Sequence, residues 1–182
     1  LPKEWIDVAD TAVKIGLGSL ITGVFTYIGV KFSHKSEKGK FMLEHKTKLL
    51  EQIAEDVETY FAAWDSYISR ISGIARSRKN NEKEYEELSK AQKSSVKEKD
   101  SNLIESWPRR ESAISKLRLM KSVKASKALS SCKGLEKEMR DMIVFDKVMP
   151  TYEEADKYRK RVIDKKKEVH KELADFYESF ET

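Results

Sequence analysis

Sixteen consecutive residues, Ile15 to Val30 (IGLGSLITGVFTYIGV), carry no charge in a sequence of which 37% is charged. Such a run admits three readings: a membrane span, a cleaved signal peptide, or the core helix of a water-soluble protein. As a helix it rises about 24 Å, short of the roughly 30 Å of a hydrocarbon core. Ala12, Val13 and Phe32 lengthen it, and Lys14 and Lys31 can hold their ammonium groups among lipid headgroups. A signal peptide needs a basic lead-in and a small-residue cleavage site; here the lead-in LPKEWIDVAD is net acidic and the exit is KFSHKSEKGK. The reading adopted is one transmembrane helix, with Trp5 as an interfacial anchor.

The flanks orient it. Lys31, Lys35, Lys38 and Lys40 form a basic flank on the carboxyl side, continued by Lys46 and Lys48, against only Lys3 and Lys14 on the amino side. The positive-inside rule then places the large domain in the cytoplasm, with the short amino terminus outside. A single cysteine, Cys132, agrees with a reducing compartment. The expected division is residues 1–36 as tail and span, and 37–182 as a cytoplasmic helical bundle.

The span is itself patterned. Gly16, Ser19, Thr22, Gly23, Thr26, Gly29 and Ser33 follow helical spacing and share one face, opposite Leu17, Leu20, Ile21, Val24 and Ile28. In lipid, small residues let helices approach closely and hydroxyls bond across the contact. The stripe predicts contact with further copies, either as a packing seam or as the lining of a ring around water. Abundant glycine is also ordinary in membrane helices. No Asp, Glu, Arg or His stands between the flanking lysines, which argues against a proton relay there.

Residues 37–182 suffice for a domain with its own core. From Leu50 onward, Ile53, Val57, Tyr60, Trp64, Tyr67, Ile71 and Ile74 recur at steps of three and four, widened by Phe61 and Ile68. They predict a helix over 40–78, with Gly39 as a joint to the span. Glu82 to Asp100 is nearly all charge, reading as a solvated helix or a connection. Ser106, Trp107 and Pro108 look like a fresh start, because proline suits a first helical turn. After it, Ile114 to Met142 reads as one helix with a slip near Lys124 or as two parted around Gly134. Thr151 and Glu154 reproduce a capping box, opening a last helix with Ala155, Tyr158, Val162, Val169, Leu173, Phe176 and Phe180 on one face. No strand alternation or hairpin signal is present. The fold class expected is all-α, an antiparallel bundle of about four helices.

Chemistry is sparse in the sequence. His34, His45 and His170 lack a second histidine or cysteine at metal-ligand spacing, and no phosphate-cradling glycine loop exists. Cys132, beside Leu129 and Leu135, reads as a buried thiol. No metal, cofactor or small-molecule substrate is expected, and no catalytic residue is assigned. Charge is the stronger signal: Arg109 to Lys133 holds eight basic residues against the lone acid Glu111. Arg110, Arg118, Lys121 and Lys124 fall near one helix face, and Arg159, Arg161 and Lys165 belong to a second cluster. These surfaces fit RNA, anionic lipid or an acidic partner; equally, lysine-rich faces often just meet water.

A short span with a small-residue face, a basic inner flank and a lysine-rich helical domain together resemble the small membrane accessory proteins of type VI-B CRISPR systems, which accompany an RNA-guided RNase. The resemblance covers the architecture of the whole chain and no sharp motif. It implies a homo-oligomeric ring, six or more copies, that permeabilises or depolarises the inner membrane during phage infection, with a divergent HEPN-like helical domain. The HEPN nuclease pattern sets a histidine shortly after an arginine. Here the nearest arginine before His170 is Arg161, with eight residues between them, so ribonuclease activity is not expected.

Overall fold

The computed structural model describes residues 37–82 and 87–179. The expected span, its stripe from Gly16 to Ser33, and Lys31 and Lys35 lie outside the described residues, as do Tyr85 and Phe180. Among the described residues, no helix is long and apolar enough to cross a membrane.

Four α-helices and one π-helical turn follow in order: α1 Glu37–Asn80, α2 Lys90–Leu119, α3 Val123–Arg140, the turn Asp141–Phe145, and α4 Tyr152–Glu178. The described residues contain no strand, in keeping with the all-α expectation. The chain divides into two compact units near Gln52. The first contributes the amino-terminal part of α1, where the helix runs through Gly39, Lys38 and Lys40, and where Phe41 and Met42 are exposed.

The second unit is an antiparallel bundle. Along α1, Asp56 meets Lys116 and Tyr60 meets Arg110 of α2, so the two helices run in opposite senses. The same logic pairs Arg110 with Glu136 and Asp100 with Arg140 between α2 and α3. Asp65 meets Lys166, and Lys79 meets Glu153, between α1 and α4. All nine apolar α1 positions named from the periodicity are buried, and Trp64, Tyr60, Tyr67 and Phe61 are the largest fully buried side chains. Phe61 and Trp64 stack at 6.0 Å between centroids, with Tyr60 tilted against both. One aromatic stripe thus fills the space between the other three helices.

The helix boundaries correct the sequence reading in two places. Pro108 does not open a helix; it lies inside α2, which begins eighteen residues earlier, with Ser89 as N-cap accepting from the Gln92 N–H in a full capping box. The break between α2 and α3 falls at Met120–Ser122, whereas Gly134 is an exposed residue within α3. That break is a Schellman turn: Ser122 N–H donates to Leu117 O at 2.8 Å and Lys121 N–H to Arg118 O at 2.9 Å. Lys121 takes the left-handed position with φ 61°, a conformation that favours glycine.

The Thr151–Glu154 capping box opens α4 as the sequence indicates. Its core face runs Ala155, Tyr158, Val162, Val169, Leu173 and then Tyr177; the expected Phe176 is only half-buried. Lys166 occupies the stripe between Val162 and Val169, its ammonium 3.3 Å from Asp65.

Candidate functional site: the basic tip of the bundle

The basic run on α2 and α3 separates by geometry into an inward and an outward set. Arg110, expected on a ligand-facing surface, instead points into the bundle. Its Nη1 donates to Glu136 Oε2 at 2.6 Å, and its Nε to Glu111 Oε1 at 3.0 Å. Tyr60 OH donates to the same Glu136 oxygen at 2.9 Å, and the guanidinium sits 5.0 Å from the Tyr60 ring. A buried guanidinium needs partners, because an unpaired charge away from water is costly; helical spacing cannot reveal that a partner waits on α3. Burial and then the Glu136 charge push the Tyr60 phenol well above its ordinary range, which keeps it a donor.

Other cations of α2 and α3 are also consumed. Arg140 forks onto Asp100 at 2.7 and 3.1 Å and lies 5.0 Å from the Trp107 ring. Asp56, 3% exposed, receives Lys116 at 2.7 Å and Arg109 at 3.1 Å. Burial alone would raise the Asp56 carboxyl, but hydrogen bonds from Lys116, Ser112 and Arg109 outweigh it and hold it below its ordinary value of 3.8. Lys133 reaches Glu111, and Lys137 reaches Asp141.

The α4 cluster is likewise occupied in part. Arg161 forks onto Glu138 at 2.6 and 2.7 Å, Lys165 pairs with Glu168, and Arg159 is half-buried. His170 Nε2 lies 2.9 Å from Glu58 Oε1 of α1. Nine positions along a helix turn the chain through about two and a half turns, so Arg161 addresses α3 while His170 addresses α1. The two do not converge on one phosphodiester. Cys132 is fully buried, and burial pushes its thiol up to about 12, so a thiolate is not available there. Among the described residues, no group of histidine, cysteine and carboxylate side chains is placed to hold a metal ion.

What remains is the tip where α2 turns into α3. Arg118, Lys121, Lys124 and Lys127 are exposed and form no ion pair or hydrogen bond through their side chains among the described residues. The segment from Arg118 to Lys127 (RLMKSVKASK) contains no acid. Between these cations Leu119 is 79% exposed and Val123 58% exposed. Helical spacing groups Arg118, Lys121 and Lys124; Lys127 belongs to the same run but to a neighbouring register, and the exposure of Leu119 has no signal in the sequence. Lys124 and Lys127 also line an open groove of about 370 Å³ with Ala128, Ser131, Lys165, Glu168 and Glu172. The tip is a cationic surface, bordered at the groove by Glu168 and Glu172, that carries two aliphatic side chains, a combination suited to anions that offer an apolar layer beneath their charge. No protein family, characterised protein or solved structure matches this chain.

Proposed function

We propose that this chain is a single-pass, membrane-anchored protein that assembles with copies of itself and opens or perturbs the bacterial inner membrane, as an antiviral effector working beside an RNA-guided RNase. The observation that carries the reading is the uncharged run from Ile15 to Val30, with Gly16, Ser19, Gly23 and Thr26 on one face and lysines crowded after it. Action by assembly and not by catalysis is supported by the way the bundle uses its ionisable groups. Arg110 pairs with Glu136, Arg140 with Asp100, and Asp56 with Arg109 and Lys116, so these charges hold helices together.

The first test is the mass of the full chain purified in detergent. A single symmetric species of six or more copies supports a ring able to enclose water, and Gly23→Leu then reduces both assembly size and dye release from liposomes, because a bulky residue separates helices packed through glycine. A monomer or dimer leaves too few spans for a lumen. A second reading, a membrane-tethered scaffold that recruits RNA or a partner protein, draws on the four cations at the tip that have no partner among the described residues. Exchanging the span for an unrelated one separates the two: a scaffold keeps its function in cells and a pore loses it. His170→Ala leaves activity intact under both.

A further inference from the structure

The charges of the bundle fall into two kinds. Arg109, Arg110, Lys116, Lys133 and Arg140 end on carboxylates within the chain, whereas Arg118, Lys121, Lys124 and Lys127 form no ion pair or hydrogen bond through their side chains among the described residues. Cations with no ion pair among the described residues also lie elsewhere on the bundle, Lys97, Lys157 and Lys171 among them, but these four fall within one acid-free segment linking α2 to α3, at the end of the bundle marked by the Asp56–Lys116 pair. Leu119 and Val123 stand out from that segment into solvent. Packing within the described residues does not account for an exposed leucine between Arg118 and Lys121.

We infer that the tip from Arg118 to Lys127 is a docking surface for anionic phospholipid, the cations meeting headgroup phosphates and Leu119 and Val123 entering the boundary of the acyl chains. The inference rests on the membrane anchorage proposed above. Charge complementarity selects the occupant: a run of cations without an acid is attracted to an anionic leaflet, and aliphatic side chains between them add the apolar contact that interfacial segments use. Single-stranded nucleic acid would instead call for aromatic platforms on which bases stack, and the tip segment holds none. An acidic protein surface would meet the cations but leave Leu119 without an apolar layer. The Schellman turn fixes the geometry, since hydrogen bonds from Lys121 and Ser122 back to α2 hold Leu119 and Lys121 outward together.

The test uses the full chain in nanodiscs of phosphatidylcholine alone or with added phosphatidylglycerol. Leu119→Cys carries an environment-sensitive fluorophore; the buried Cys132 does not compete for label. A second preparation carries the fluorophore through Val24→Cys and is read with acyl-chain-nitroxide lipid, because a mid-span position lies roughly 15 Å from the headgroups. The expected result is a blue shift at position 119 and several-fold quenching by headgroup-nitroxide lipid in anionic discs. Quenching should be weak in zwitterionic discs, at high salt, and after combined Arg118→Gln, Lys121→Gln and Lys124→Gln. Silence at position 119, or equal quenching in both lipids, overturns the inference. So does a response to single-stranded RNA in place of anionic lipid, which would assign the tip to nucleic acid. Quenching at Val24 with silence at 119 leaves the anchor standing and removes only the docking surface. Quenching at 119 without any at Val24 keeps the docking surface and removes the anchor; silence at both removes both.

Discussion

Arg110 and Glu136 meet at 2.6 Å in the middle of the bundle, with side chains only 7% and 5% exposed. They come from adjacent antiparallel helices, and Tyr60 of α1 closes the cluster by donating to the same carboxylate oxygen. Three helices are thereby fixed in register by one oxygen atom. A buried pair of this kind adds little to stability compared with apolar residues of the same size, yet removing one member strands the other.

Glu136→Ala should therefore destabilise the bundle by about 3–5 kcal/mol. Joint replacement, Arg110→Met with Glu136→Leu, should recover most of that loss. Urea unfolding followed by circular dichroism measures both. A double variant as unstable as Glu136→Ala would mean that the cluster contributes more than register. Tyr60→Phe, which removes a single donor, should cost about 1 kcal/mol.

Asp56 makes stability depend on acid. Its folded carboxyl titrates below 3.8 because Lys116, Ser112 and Arg109 donate to it against the opposing effect of burial. The unfolded chain regains the ordinary value, so as pH falls the unfolded state takes up the proton first. The stabilisation is complete well above pH 3.8 and disappears as pH drops through the lower folded value. Asp56→Asn should cost about 1–3 kcal/mol at neutral pH, with a gap to the wild type that narrows steadily toward pH 3. Glu111 and Glu138 also titrate low in the folded chain, and the difference between the two proteins cancels their share. A gap that stays constant with pH would show that Asp56 acts by shape alone.

The helices differ in how openly the sequence declares them, and the difference is physical. α1 and α4 bury nearly pure apolar stripes, so periodicity finds them, and the Thr151–Glu154 box marks where α4 begins. α2 buries Asp100, Ser106 and Arg110 among Val96, Leu103, Ala113, Ile114 and Leu117. Each polar member is satisfied by a partner: Arg140, the Leu103 carbonyl and Glu136. A face interrupted by charges whose partners lie 26 and 40 residues away along the chain looks solvated until the fold is known. The local signal for the start of α2 was nonetheless present, since Ser89 and Gln92 have capping-box spacing. The basic tip was half-legible: spacing groups Arg118, Lys121 and Lys124, but it cannot separate them from Arg110, which long-range pairing turns inward.

Pro108 follows from the same correction. Inside α2 it has no N–H to offer the Ile104 carbonyl and its ring crowds that turn. Its side chain faces solvent, so nothing in the core depends on the ring. Pro108→Ala restores the missing hydrogen bond and should raise stability by about 1–2 kcal/mol, less than the full helical penalty of proline because the unfolded chain also gains freedom. A loss of stability would indicate that a bend at Pro108 is needed to bring Trp107 and Arg110 onto their partners.

Lys121 allows stability and surface charge to be separated. At φ 61° a residue with a Cβ is strained by roughly 1–2 kcal/mol, of which glycine returns a part through its larger unfolded-state entropy. Lys121→Gly should thus stabilise the bundle by about 0.5–1 kcal/mol. Lys121→Val, branched at Cβ, should destabilise it by at least as much, because branching makes the left-handed region still less accessible. Both remove the same charge from the tip. If that charge draws the tip to anionic lipid, the two variants should lose fluorescence quenching at position 119 to the same degree while their unfolding midpoints move in opposite directions. Were quenching instead to track the midpoint, the rigidity of the turn and not its charge would govern how the tip meets the bilayer.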